Sequence, residues 1–292
     1  MAEASGGEER IFLRKASGLI KTASGTDTFI YNLGLVSVGL GVASIMLYGP
    51  AYYPGGDLIL SCLLAAACMA CIAFGFITWS ITLPRSGGIY VFGSRILPPG
   101  IALIMSLVEI TAWLFYCAIA AYWIILLGIS PAFTFVGYFT GNDAWVNAGA
   151  WILEPWPMFI IGSAFLVLSG ILLSSGMRLY LTVQRYIFSL AVLGSITLIV
   201  VLATGSNGEF IASFNSLMGP ILETEEPYQA IIATGKENGW GWDGSIDWTQ
   251  TWLVSNWPFL PLVGAAFSIA IGGEIKSVEK SQTYGMLGAV IG

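Results

Sequence analysis

The chain has 292 residues, 56% of them hydrophobic and only 10% charged, with a net charge of −6 and a mean hydropathy of +0.80. Soluble domains carry roughly 25% charged residues, so this composition excludes an ordinary soluble fold. With no histidine in the chain, it also excludes His-based acid–base chemistry, serine or cysteine triads and most zinc sites. No enzymatic activity, cofactor, metal site or nucleic-acid partner is expected.

Residues 1–28 are polar and charged at their start and lack an apolar h-region, so they are not a secretory signal. Six apolar stretches follow, predicted as spans over 29–48, 58–83, 100–128, 157–176, 180–204 and 252–273. About 20 apolar residues of helix cross a hydrocarbon core roughly 30 Å thick. Lipid offers the backbone no hydrogen-bond partner, so each span is a helix.

Span one carries Gly34, Ser37, Gly39 and Gly41 at mid-membrane. Glycine costs about 1 kcal/mol in a helix relative to alanine. The cluster reads either as close helix packing or as an unwound stretch whose free N–H groups bind a carboxylate. Span two holds Cys62, Cys68 and Cys71, read as small apolar packing residues rather than a redox pair. Between spans two and three, a short interfacial helix is predicted over 86–97. Starting near Gly88, it would place Ile89, Phe92 and Ile96 on one face, with Arg85 and Arg95 free to meet phosphates or helix C-termini.

Span three contains Glu109, the one ionisable residue well inside a span. It reads either as a proton carrier or as a structural hydrogen-bonding group. Trp145, Trp151 and Trp156 precede span four, and Trp240, Trp242, Trp248, Trp252 and Trp257 cluster before span six. Tryptophan favours the membrane–water interface, and anchoring explains these residues better than ligand stacking does. The segment 205–251 is the one large extramembrane loop, with a short helix expected near 228–234. In span six Pro261 removes a backbone donor and Gly264 follows. The pair predicts either a kink or a break near Leu262, Val263, Gly264 and Ala265 that exposes half-helix ends.

Charge sets the orientation. Arg10, Arg14, Lys15, Lys21, Arg85, Arg95, Arg178, Arg185, Lys276 and Lys280 fall on one side of a six-span bundle. The other side holds Lys236 against Asp57, Asp143, Glu154, Glu209, Glu223, Glu225, Glu226, Glu237, Asp243 and Asp247. The positive-inside rule then puts the N-terminus in the cytoplasm of a multi-pass plasma-membrane protein.

Two blocks carry a family resemblance. Pro84-Arg85-Ser86-Gly87-Gly88-Ile89-Tyr90-Val91-Phe92, followed by Ser94-Arg95, resembles the P-x-[SA]-G-G-x-Y-x-[FY] signature that follows the second span in amino acid permeases of the amino acid–polyamine–organocation superfamily. Gly273-Glu274-Ile275-Lys276-Ser277 is similar to that family's G-E-x-K-N block after span six. The resemblance covers the chain as the first half of a typical twelve-span member. It implies an all-α membrane fold: six spans and the start of a seventh, forming the first repeat and the opening of the second in a five-plus-five inverted-repeat transporter.

It further implies a secondary permease for amino acids or related amines, working by alternating access as a symporter or antiporter with H+ or Na+ as a possible coupling ion. Ser37, Gly39 and Gly41 would then contact the substrate carboxylate. Leu262, Val263, Gly264 and Ala265 would lie near its ammonium and side chain, and Glu109 and Trp113 would form a wall. This sequence departs from the pattern in placing one residue between Ser37 and Gly39, and in having no lysine within Ser189–Val201 and no acid at the span-six break. Residues 286–291 look like the start of span seven, so the chain is expected to be truncated and to need its C-terminal half to transport. The alternative is a non-transporting half-length scaffold or sensor, or one chain of a two-chain assembly.

Overall fold

The computed structural model describes residues 20–237 and 245–292. Arg10, Arg14 and Lys15, and Trp240, Trp242 and Asp243, used above for orientation and anchoring, lie outside the described residues. Among the described residues the chain is helical throughout apart from two isolated β-bridges. Six helical stretches are long and apolar enough to cross a membrane: Gly25–Tyr52, Leu58–Thr82, Pro99–Thr140, Pro155–Ser174, Met177–Thr204 and Trp248–Ala270.

Span one is two helices, α1 (Gly25–Val36) and α2 (Val38–Tyr52). Helix α1 opens with a capping box. Asp27 N–H donates to Ser24 Oγ, and Ser24 N–H donates back to the Asp27 carboxylate at 3.0 Å. Helix α3 (Leu58–Thr82) starts on an Asp57 cap, whose carboxylate accepts the Leu60 amide at 2.8 Å. The short helix α4 (Gly88–Ile96) buries Phe92 against Trp79, with ring centroids 5.7 Å apart, while Ile96 is exposed. Ile89, Phe92 and Ile96 stand at i, i+3 and i+7 of this helix; along that row Ile89 is half-buried, Phe92 buried and Ile96 exposed.

The third span runs further than the sequence suggests. Helix α5 (Pro99–Trp123) passes through a π-turn (Ile124–Ile129) into α6 (Ser130–Thr140) without interruption. Pro131 has no N–H to give the carbonyl one turn back, and the widened π-turn accommodates the missing donor. The helix stops at Gly141, whose φ of 64° suits glycine. Helix α7 (Asp143–Ile152) folds back on α6, and glycines allow the close approach: a methyl on Gly149 would lie 3.0 Å from the Ser130 carbonyl oxygen.

Helices α8 (Pro155–Ser174) and α9 (Met177–Thr204) form spans four and five, joined by Ser175 and Gly176. The long loop holds two helices rather than one, α10 (Asn207–Leu222) and α11 (Pro227–Glu237), packed through Phe210, Phe214 and Tyr228. Span six is α12 (Trp248–Val254), α13 (Asn256–Leu262) and a 3₁₀ segment (Val263–Ala270). A final helix, α14 (Val278–Ile291), begins eight residues before the predicted start at 286.

The core lies where α1, α3, the 3₁₀ segment and α14 meet, with Leu33, Met69, Ala73, Ala265 and Met286 buried. A fully buried polar network crosses it. The Ser268 amide donates to Asn32 Oδ1 (2.8 Å), Asn32 Nδ2 donates to Ser268 Oγ (3.0 Å), and Ser268 Oγ donates to Gln282 Oε1 (2.5 Å). Gln282 Nε2 closes the loop on the Ser268 carbonyl at 3.2 Å. Every polar group in this network has a partner, the condition under which buried polarity specifies packing rather than weakening it.

Candidate functional site

At Ser37 the backbone enters the left-handed region, with φ 52° and ψ 66°. This single residue ends α1 and starts α2. The amides of the first turn of a helix have no intrahelical acceptor, and here the Ser37 side chain caps none of them. Gly41 N–H reaches back to the Ser37 carbonyl at 2.7 Å. The start of α2 is therefore an N-terminal dipole in mid-span, where partial positive charge favours an anion. Gly39 sits in that turn with open space beside its Cα, so nothing screens the backbone.

Span six changes winding where the sequence places a kink or a break. No gap opens at Leu262–Ala265. The backbone stays helical and tightens from α to 3₁₀ at Val263. The reason is close contact. A methyl on Gly264 would lie 2.7 Å from the Leu35 carbonyl carbon and 2.9 Å from the Val36 nitrogen, so the two backbones touch where α1 ends. A methyl on Gly41 would meet the Pro261 ring at 3.5 Å, an ordinary packing distance. The end of α1 and span six thus interlock at Gly264, while Gly41 has room for a methyl and Gly39 faces open space.

Two cavities flank this junction. One, of about 200 Å³, is enclosed by Leu35, by Trp113 and Tyr116 of α5, and by Leu260, Pro261, Val263 and Gly264 of span six. The other, of about 530 Å³, runs from Ser37, Gly39 and Leu40 to Trp123, Leu127 and Gly128 at the π-turn. A water-sized gap beside Ser37, Gly41, Ser44, Tyr116 and Pro261 lies between them. Trp113 packs edge-on against Phe267 with centroids 4.3 Å apart, and its ring also meets that of Tyr116 at 5.4 Å.

Of the sequence-predicted site residues, Ser37, Gly39, Gly41, Trp113, Val263 and Gly264 line this crevice. Leu262 and Ala265 point away from it into the core cluster. Glu109 does not line the crevice. Tyr116, Trp123 and Leu260 line it without having been singled out. Aromatic residues at i, i+3 and i+10 on span three were the available signal, but in an apolar helix they are indistinguishable from lipid-facing ones.

The two signature blocks sit elsewhere, closing one end of the bundle. Thr22 and Ala23 amides donate to the Glu274 carbonyl at 2.9 and 3.0 Å, and Lys276 N–H returns to the Ala23 carbonyl at 2.9 Å. Ile275 pairs with Ala23 and Ile271 with Ser86 as bridges. Gly87 N–H donates to the Ala270 carbonyl at 3.2 Å, and Gly273 N–H to Ser86 Oγ at 3.1 Å. Gly87 (φ 124°) and Gly88 (φ 56°) make the turn that brings Arg85 against Gly272. Pro84, Tyr90 and Arg95 stay on the exposed side of this clasp. Beside it, Arg185 Nε donates to the buried Asp27 carboxylate at 2.6 Å, tying the start of α1 to α9. Partial burial pushes the Glu274 carboxyl above its ordinary value.

No curated protein and no solved structure matches the chain. A family model described as amino acid permease matches residues 26–285, from the first turn of α1 to the middle of α14. That match covers both signature blocks, the Ser37 break and the interlocked span six. With six membrane-spanning helices built around them, the chain belongs to the amino acid permease family, multi-pass membrane proteins that transport amino acids.

Proposed function

We propose that this chain supplies the substrate-binding half of a secondary transporter that moves an amino acid or related amine by alternating access. The substrate carboxylate rests on the first-turn amides of α2 beside Ser37, Gly39 and Gly41. The remainder extends toward Trp113 and Val263, against Gly264. The observation that carries this reading is the left-handed break at Ser37, which opens a helix N-terminus directly onto the crevice walled by α5 and span six. Leu262 and Ala265 act behind this wall, by packing.

A coupling ion, H+ or Na+, accompanies the substrate, and Glu109 is the candidate group for a proton. The protein sits in the plasma membrane with its N-terminus in the cytoplasm, as the basic residues Arg85, Arg95, Arg178, Lys276 and Lys280 support. A C-terminal half related by an inverted repeat completes the site.

Gly39→Leu in the full-length protein is the informative test. Gly39 has open space where a side chain would go, so the variant fills the crevice without striking the fold. The expected result is normal expression and a monodisperse purified protein, with amino acid binding in proteoliposomes reduced at least about tenfold. Unchanged binding by that variant would remove the Ser37–Gly41 segment from the site. Comparing uptake with and without an imposed proton or sodium gradient identifies the coupling ion.

A further inference from the structure

The walls beside the Ser37 break carry more information than its location. The break supplies backbone amides, which treat every amino acid alike, so discrimination falls to the side-chain cavity. That cavity is bounded by the Trp113 and Tyr116 rings on one side and by Leu260, Pro261 and Val263 on the other. Among its described lining residues none bears a charge, and the Tyr116 hydroxyl and the Trp113 indole N–H are the side-chain polar groups. The neighbouring groove continues in the same vein, with Leu40, Trp123 and Leu127 and the single hydroxyl of Ser37.

Glu109 is the nearest carboxylate along span three, but it is not a wall residue of either cavity. A substrate ammonium or guanidinium against the walls this chain supplies would surrender its hydration and meet no counter-charge from them, and a substrate carboxylate likewise. An apolar side chain loses nothing and gains burial. An aromatic one gains, in addition, the edge-to-face and offset contacts that Trp113 and Tyr116 present. Trp113 is itself held between the Phe267 and Tyr116 rings, so it offers a pre-set surface rather than a mobile one.

We infer that the substrate is a neutral amino acid with a bulky apolar or aromatic side chain, of the leucine or phenylalanine class, and that Trp113 and Val263 set that choice. This inference rests on the reading of the Ser37 break as the carboxylate site, and the experiment separates the two.

Uptake of radiolabelled leucine, phenylalanine, lysine and glutamate is measured one at a time with the full-length protein in proteoliposomes. The wild type is expected to take up leucine and phenylalanine at least about tenfold faster than lysine or glutamate. Trp113→Ala is expected to lose more phenylalanine uptake than leucine uptake. Val263→Asp, which adds a carboxylate to a half-open wall position, is expected to reverse the order toward lysine. The second variant keeps the test decisive if the first fails to fold.

Faster uptake of lysine or glutamate than of leucine by the wild type overturns the inference and leaves the carboxylate site standing, as does uptake of all four at similar rates. Uptake of none of them by monodisperse protein, with no binding of any of the four, overturns the underlying transport reading instead.

Discussion

At the scale of single residues, two glycines of similar appearance carry opposite consequences. Gly39 and Gly264 both sit in mid-span, and both fall in the segments that the family resemblance assigns to substrate. Gly39 has open space beside it, whereas Gly264 touches the backbone of Leu35 and Val36. Gly264→Ala already needs the two segments to part, and overpacking of this kind costs roughly 1–3 kcal/mol. The expected outcome is a lower unfolding temperature in detergent, and a larger side chain there is expected to abolish expression. Loss of activity in such a variant therefore reports on packing.

Asn32 is a second residue whose role is structural. Asn32→Leu would leave the Ser268 amide without its acceptor inside the core, a cost of about 1–3 kcal/mol. The unfolding temperature measures it, and substrate preference is expected to stay the same. Neither role was legible in the chain. Asn32 and Ser268 lie 236 positions apart, and a neutral polar residue within an apolar stretch does not declare a partner.

At the scale of elements, the sequence placed helices well and their internal winding poorly. The spans are legible because lipid leaves the backbone one solution. Ser37 and its glycines marked a real interruption, since left-handed backbone is cheap only near such residues. The stretch Leu262–Ala265 was read as one lining surface. At three residues per turn, rather than 3.6, successive side chains fan out differently, and only Val263 and Gly264 face the crevice. The π-turn at Ile124–Ile129 gave no warning, because Ile, Leu and Gly there carry no breaker pattern of their own.

The clasp is the element whose behaviour depends on pH. Its Glu274 carboxyl is raised by burial. A raised carboxyl adds stability that is fully present below its unfolded value and lost as pH rises through its folded value. The Glu274 contribution to thermal stability is therefore expected to fall as pH rises through and above the usual glutamate range. Glu274→Gln is expected to flatten that decline. An equal decline in the variant would assign the pH dependence to other groups.

At the scale of the whole molecule, the orientation proposed from charge is open to direct measurement. In a background with Cys62, Cys68, Cys71 and Cys117 replaced by serine or alanine, a cysteine introduced at Asn142 is expected to react with a membrane-impermeant maleimide in intact cells. One introduced at Ser94 is expected to react only after the cells are opened. The reverse pattern would invert the molecule and place the clasp outside. Spans four and five, with most side chains exposed, need no further partner to account for that exposure, since lipid covers apolar helices as readily as protein does.

The length of span three has a mechanical consequence. Its helical run of 42 residues measures about 60 Å, twice a hydrocarbon core of roughly 30 Å. Its outer end, α6, is an 11-residue arm of about 16 Å. The pivot of that arm is the π-turn, which forms one bank of the groove beside Gly39. A bend of about 5° there sweeps the tip near Thr140 by about 1.4 Å. An occupant that bends the helix at this turn would move the tip of α6 together with α7, which packs closely on it. A spin label or fluorophore at Thr140 would act as the pointer of a gauge, reading the state of a buried crevice from outside the membrane.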